Sequence, residues 1–123
     1  MDIDDVTEAF RERNHFSIFD TRSGYHVDCK GAYTTREQRA IAERRRVRIG
    51  QGYIYVDAPE NAIVAKLLFG SDQDILDAEA VYVRQRKRVS VGRIERRARE
   101  AGVLREWRAL RRRADRILAE ETR

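Results

Sequence analysis

Proline and cysteine are almost missing from these 123 residues, with Pro59 and Cys29 the single example of each. One cysteine cannot close an intramolecular disulfide, which excludes a disulfide-stapled secreted scaffold and points to a reducing compartment, the cytoplasm. One proline leaves long stretches free to be helical. No apolar run reaches the roughly 18 residues of a membrane span, and no charged-then-apolar leader opens the chain. Nowhere do Gly, Ser and Pro accumulate into a linker, and no segment repeats. A single domain over residues 1–123 is therefore expected, with one modest core. Cysteine and histidine are too few for a zinc ligand set, and no RNA-recognition aromatic signature is present.

Charge is what the chain has in quantity. Charged residues make up 38%, and 26 Lys plus Arg outnumber 21 Asp plus Glu, a net charge of +5. The positive charge is almost entirely arginine, the better bidentate phosphate ligand. It gathers at Arg44, Arg45 and Arg46, at Arg84, Arg86, Lys87 and Arg88, and at Arg111, Arg112 and Arg113. Such runs also suit solvated helix ends, where arginine near a C-terminus complements the helix dipole. As a ligand surface they would favour nucleotide or nucleic acid, bound non-specifically through phosphates.

Periodicity predicts an α+β fold: a small antiparallel sheet of two hairpins over residues 1–58, then a helical bundle over 59–123. A short helix is expected over 5–13, then strands over 16–20 and 25–30 joined by Thr21-Arg22-Ser23-Gly24. Thr34 and Thr35 stand at capping-box spacing before Glu37 and Gln38, predicting a helix over about 35–45. Val47-Arg48-Ile49 and Tyr53-Ile54-Tyr55-Val56 flank Gly50-Gln51-Gly52 as a second hairpin. After Pro59 helices are expected, broken at Gly70-Ser71, at Val89-Ser90 and at Gly102. The last carries an apolar stripe of Val103, Leu104, Trp107, Leu110, Ala114, Ile117 and Leu118.

Strand alternation puts His26, Asp28 and Lys30 on one face and Tyr25, Val27 and Cys29 on the other. The polar face reads either as a metal- or phosphate-facing surface or as the solvent side of an edge hairpin protected by Lys30. Cys29 then falls on the core side as an inert thiol.

The segment Phe16–Asp28, then Arg44-Arg45-Arg46-Val47, then Tyr55–Asp77 resembles an uncharacterised prokaryotic branch of the nucleotidyltransferase-fold superfamily, relatives of the DNA polymerase β-like enzymes. Most specific is the run from Pro59-Glu60 through Lys66-Leu67 and Gly70-Ser71 to Asp74, Asp77 and Ala78. The resemblance implies a metal carboxylate at Asp28, a phosphate ligand at Lys66, with Asp77 on the next helix facing the cleft and Lys30 beside Asp28. It also implies Mg²⁺ if the protein is active, because this transfer chemistry clamps two divalent ions between three carboxylates. The front half of such proteins, a phosphate-gripping Gly-Ser turn followed by Asp-x-Asp, has no counterpart. Asp2-Ile3-Asp4 has the spelling but runs directly into a helix. The expectation is a truncated transferase-like domain without independent activity, completed by a second copy or a partner chain across its open sheet edge. Two other classes compete with it. One is a basic nucleic-acid-binding module; the other is a metal-dependent nuclease using Asp20, Asp28 and Lys30.

Overall fold

The computed structural model describes residues 3–122, and the chain divides into two compact units, Met1–Ala42 and Glu43–Arg123. It is an α+β protein with a helical C-terminal region, as its periodicity predicts. Among the described residues there are six helices and four strands, and each hairpin is a two-stranded sheet of its own.

The first unit holds α1 (Ile3–Arg11), β1 (Phe16–Phe19), β2 (His26–Cys29) and α2 (Thr35–Ala42). Asp20 builds the turn between the strands: its carboxylate accepts from the Arg22 N–H at 3.1 Å and the Ser23 hydroxyl at 2.6 Å. Gly24 closes that turn at φ +76°, a conformation that suits glycine. β1 and β2 pair antiparallel with Phe16 opposite Cys29 and Ser17 opposite Asp28. Phe16, Ile18, Val27 and Cys29 thus share a face, and Phe10 of α1 meets Phe16 edge-on at 5.7 Å. Cys29 is half-buried there, on the side the alternation assigned to it. The α2 start is capped as expected, with the Glu37 N–H donating to Thr34 Oγ1 and the Glu37 carboxylate accepting from the Tyr33 N–H. No side chain of this unit is fully buried among the described residues.

The second unit begins with β3 (Arg45–Ile49) and β4 (Gly52–Val56), followed by α3 (Pro59–Phe69), α4 (Asp72–Gln85), α5 (Val91–Ala101) and α6 (Leu104–Glu121). The sequence expectation ran α2 on to about residue 45. Instead the chain leaves the helix after Ala42, because Arg45 already pairs with Val56 and Arg46 with Tyr55. Gly50 takes φ +58° at the first position of the two-residue loop, the type II′ arrangement that matches strand twist.

Helix boundaries in this unit follow their capping residues. Pro59 occupies the first turn of α3, and Gly70 ends it in the left-handed region at φ 75°. Ser71 and Asp74 form a reciprocal capping box on α4. Ser90 accepts from the Arg93 N–H at the start of α5, and Gly102 ends it at φ 78°. Ile63, Val64 and Leu67 of α3, Ala78 and Tyr82 of α4, Ile94 and Ala98 of α5, and Val103, Trp107, Leu110 and Ala114 at α6 form one core. Trp107 is fully buried and meets Tyr82 edge-on at 5.2 Å. The α6 stripe outlasts this core. Leu104 and Leu118 are half-buried, and Ile117 borders a shallow trough of about 280 Å³ with Leu76, Ala80 and Val83 of α4.

Candidate nucleic-acid interface

Alternation along the second hairpin separates two kinds of surface. The β3–β4 register sets Arg46 opposite Tyr55 and Arg48 opposite Tyr53, so these four side chains share one face. Val47, Ile49, Ile54 and Val56 share the other. Both faces stay largely open to solvent, with Tyr53 55% and Tyr55 58% exposed. On the first face the guanidinium of Arg46 lies 4.4 Å from the Tyr53 ring centroid, and that of Arg44 lies 4.8 Å from Tyr55's. A guanidinium stacked on a ring engages it through the π-face and leaves its N–H edge for a phosphate or carboxylate. Arg48 Nε donates to the Gly50 carbonyl at 3.2 Å, which fixes that side chain beside the turn.

Ion pairing divides the arginines into two populations. In the helices Arg93 and Arg97 pair with Glu43, Arg99 and Arg108 with Glu95, Arg111 with Asp115 and Arg113 with Glu79. Among the described residues no carboxylate pairs with Arg45, Arg46, Arg48, Arg84, Arg86 or Arg88. Arg96, Arg105, Arg112 and Arg116 of α5 and α6 likewise pair with no carboxylate among the described residues, so unpaired positive charge lies on these helices as well as at the hairpin and the end of α4. Within the Arg111–Arg113 cluster, Arg111 and Arg113 are engaged by local acids.

A groove of about 610 Å³ opens at the base of the hairpin. Arg45, Arg46 and Val47 of β3 line it with Val56 and Asp57 at the end of β4, Pro59 and Ala62 of α3, Val81 and Gln85 of α4, and Arg88. It unites three of the nine arginines singled out from the sequence, Arg45, Arg46 and Arg88. Arg84 lies elsewhere, on the α4–α6 trough, and Arg86 donates to the Val83 carbonyl at 2.6 Å. Burial holds the Asp57 carboxyl above its ordinary range, aided by repulsion from Glu43 and Glu60 and opposed by local hydrogen bonds.

The structure gives the transferase-derived residues other surroundings. Lys66 and Asp77 do come together: the ammonium lies 3.5 Å from Asp77 and 3.7 Å from Asp74, and Gln73 donates to Asp77 at 2.8 Å. This triad ties α3 to α4 across the Gly70-Ser71 break. Asp74 is held below the usual carboxylate range by the Ser71 hydroxyl first and by Lys66 after it. Asp28 accepts from the Ser17 hydroxyl at 2.6 Å and lies 3.6 Å from His26 Nε2; the hydroxyl is the main cause of its lowered pKa. Lys30 pairs with Glu37 at 3.2 Å. Asp20 spends its oxygens on the turn described above.

Among the described residues no three His, Cys, Asp or Glu side chains gather as a divalent ion requires. Asp4 stands in the first turn of α1, and Asp2 lies outside the described residues. The donor set around Asp28, one carboxylate with a hydroxyl and an imidazole, does not fit a two-ion centre.

Arg48, Tyr53 and Tyr55 were not anticipated as site residues, since no RNA-recognition aromatic signature stood out in the sequence. The signal was nonetheless present. Arg44, Arg46 and Arg48 alternate, as do Tyr53 and Tyr55, and a two-residue loop at Gly50-Gln51 puts both sets on one face. No protein-family model, curated protein or solved structure matches this chain.

Proposed function

We propose that this chain is a non-catalytic module for single-stranded nucleic acid, with the Arg–Tyr face of β3–β4 as its contact surface. The observation that carries this reading is the pairing of solvent-exposed Tyr53 and Tyr55 with Arg46 and Arg48, cations that no carboxylate neutralises. Any base has a π-face to lay on a tyrosine, and any strand has phosphates for a guanidinium, so binding is sequence-tolerant and salt-dependent. Arg84, Arg86 and Arg88 extend the positive field along the end of α4.

The nucleotidyltransferase resemblance enters the proposal as ancestry: a transferase-like domain that keeps phosphate-facing arginines and does not transfer. Self-association belongs to the same reading, because a two-stranded sheet has only edge strands, and a second copy could extend either hairpin. Among the described residues no helix is long and apolar enough to cross a membrane. The cytoplasm stays the proposed compartment on the strength of the single cysteine.

Fluorescence anisotropy with labelled oligo(U) and oligo(dT) tests the reading. Tyr53→Ala and Tyr55→Ala should each cost about 1–3 kcal/mol of binding, the usual value of one base–aromatic stack. Arg48→Ala should weaken binding to both strands alike and flatten the salt dependence by about one counterion. Full-strength binding by the double tyrosine variant would refute the assignment.

A further inference from the structure

The groove at the base of the second hairpin shares only Arg46 with the stacking surface just described, and its size, about 610 Å³, falls in the range of formed ligand clefts, roughly 300–1,000 Å³. Its lining is of two kinds. Val47, Val56, Ala62 and Val81 are aliphatic, while Arg45, Arg46 and Arg88 outnumber the one carboxylate, Asp57. No carboxylate pairs with those three guanidiniums among the described residues, so the groove carries a net positive charge beside apolar surface.

We propose that this groove docks an acidic, amphipathic peptide segment of a partner protein, with aliphatic side chains against Val47, Val56 and Val81 and carboxylates on Arg45 and Arg88. Charge complementarity selects the acids, since a guanidinium holds a carboxylate through two parallel hydrogen bonds. The aliphatic lining selects a peptide over a base. A base needs a π-face to stack on, and the hairpin's tyrosines stand on its other face, whereas Leu, Ile or Phe side chains bury well against valines. Arg46 belongs both to this lining and to the Arg–Tyr face, so peptide and oligonucleotide compete. The partner regulates nucleic-acid binding through that shared residue. Docking itself does not depend on the nucleic-acid reading.

Panning a phage-displayed library of random 12-residue peptides on the full chain, followed by anisotropy with the enriched peptides, is the test. Enriched sequences should interleave Asp or Glu with Leu, Ile or Phe. Arg45→Glu with Arg88→Glu should lower their affinity at least tenfold at an unchanged melting temperature, and Val47→Thr should lower it severalfold. Enrichment of nothing, enrichment without acidic bias, or affinity indifferent to the double charge reversal would overturn the proposal. So would oligo(U), rather than an enriched peptide, shifting the methyl resonances of Val56 and Val81; that result would assign the groove to nucleic acid. Loss of oligonucleotide binding in Tyr53→Ala with peptide binding intact separates the two sites.

Discussion

Asp57 and Asp74 carry carboxyl groups shifted in opposite directions, and each shift is a statement about stability. Asp74 sits below its ordinary value of 3.8 because its charged form is held by Ser71 and Lys66. Its contribution is therefore complete above about pH 4 and is lost as pH falls through the lowered value. Asp57 is raised above 3.8 by desolvation, so its ionisation costs stability that begins to be lost as pH rises past 3.8 and is fully lost above the raised value. Asp57→Asn should raise the melting temperature at pH 7, with the gain vanishing below pH 3.8. Asp74→Asn should lower it at pH 7 and lose that penalty in acid. Thermal melts from pH 3 to pH 8 check both, and a destabilised Asp57→Asn at neutral pH would show that its local hydrogen bonds outweigh its desolvation. Lys66 belongs to the same scale. With two carboxylates within 4 Å, its charge is accounted for by the α3–α4 junction.

Among the elements, the capped and periodic helices and both hairpins were legible in the sequence, while the boundary between α2 and β3 was not. Pro59, Gly70, Ser71, Ser90 and Gly102 punctuate α3 to α5 where local chemistry demands a break. Ser71→Ala should cost about 1 kcal/mol as a lost N-cap, and Gly102→Ala about the same for its left-handed φ; urea denaturation reads both. The α6 stripe was legible for a similar reason. Leu110→Ala, removing a fully buried side chain, should cost about 2–5 kcal/mol. The end of α2 was misjudged because helix propensity near Glu43 and Arg44 is overridden by a ladder that a residue eleven positions downstream, Val56, supplies to Arg45. That pairing also decides the candidate site. Arg44–Arg46 read as a charged helix end in one dimension, and the register instead sets Arg46 opposite Tyr55 and Arg48 opposite Tyr53. The local partners of the residues carried over from the transferase resemblance were a further matter the sequence left open. Ion pairs and side-chain hydrogen bonds between neighbours engage Lys30, Lys66 and Asp28, and a turn bond engages Asp20 of the nuclease alternative; nothing in composition or spacing foretells them.

For the whole molecule, the fully buried core lies entirely in the second unit, from Ala58 to Ala114, while the first unit buries no side chain completely among its described residues. A fragment of residues 43–123 should therefore unfold cooperatively on its own and keep most of the nucleic-acid affinity, whereas residues 1–42 alone should show no cooperative melt. Circular dichroism of the two fragments decides this. The central claim concerns where a strand touches the protein, and photocrosslinking answers it most directly. Full-length protein would be irradiated with an oligonucleotide carrying 5-iodouridine, which couples to stacked aromatic rings, and the crosslinked peptide sequenced by mass spectrometry. The account predicts adducts on Tyr53 and Tyr55 that fade as salt is raised; adducts confined to other residues, or none at concentrations where binding is saturated, would contradict it.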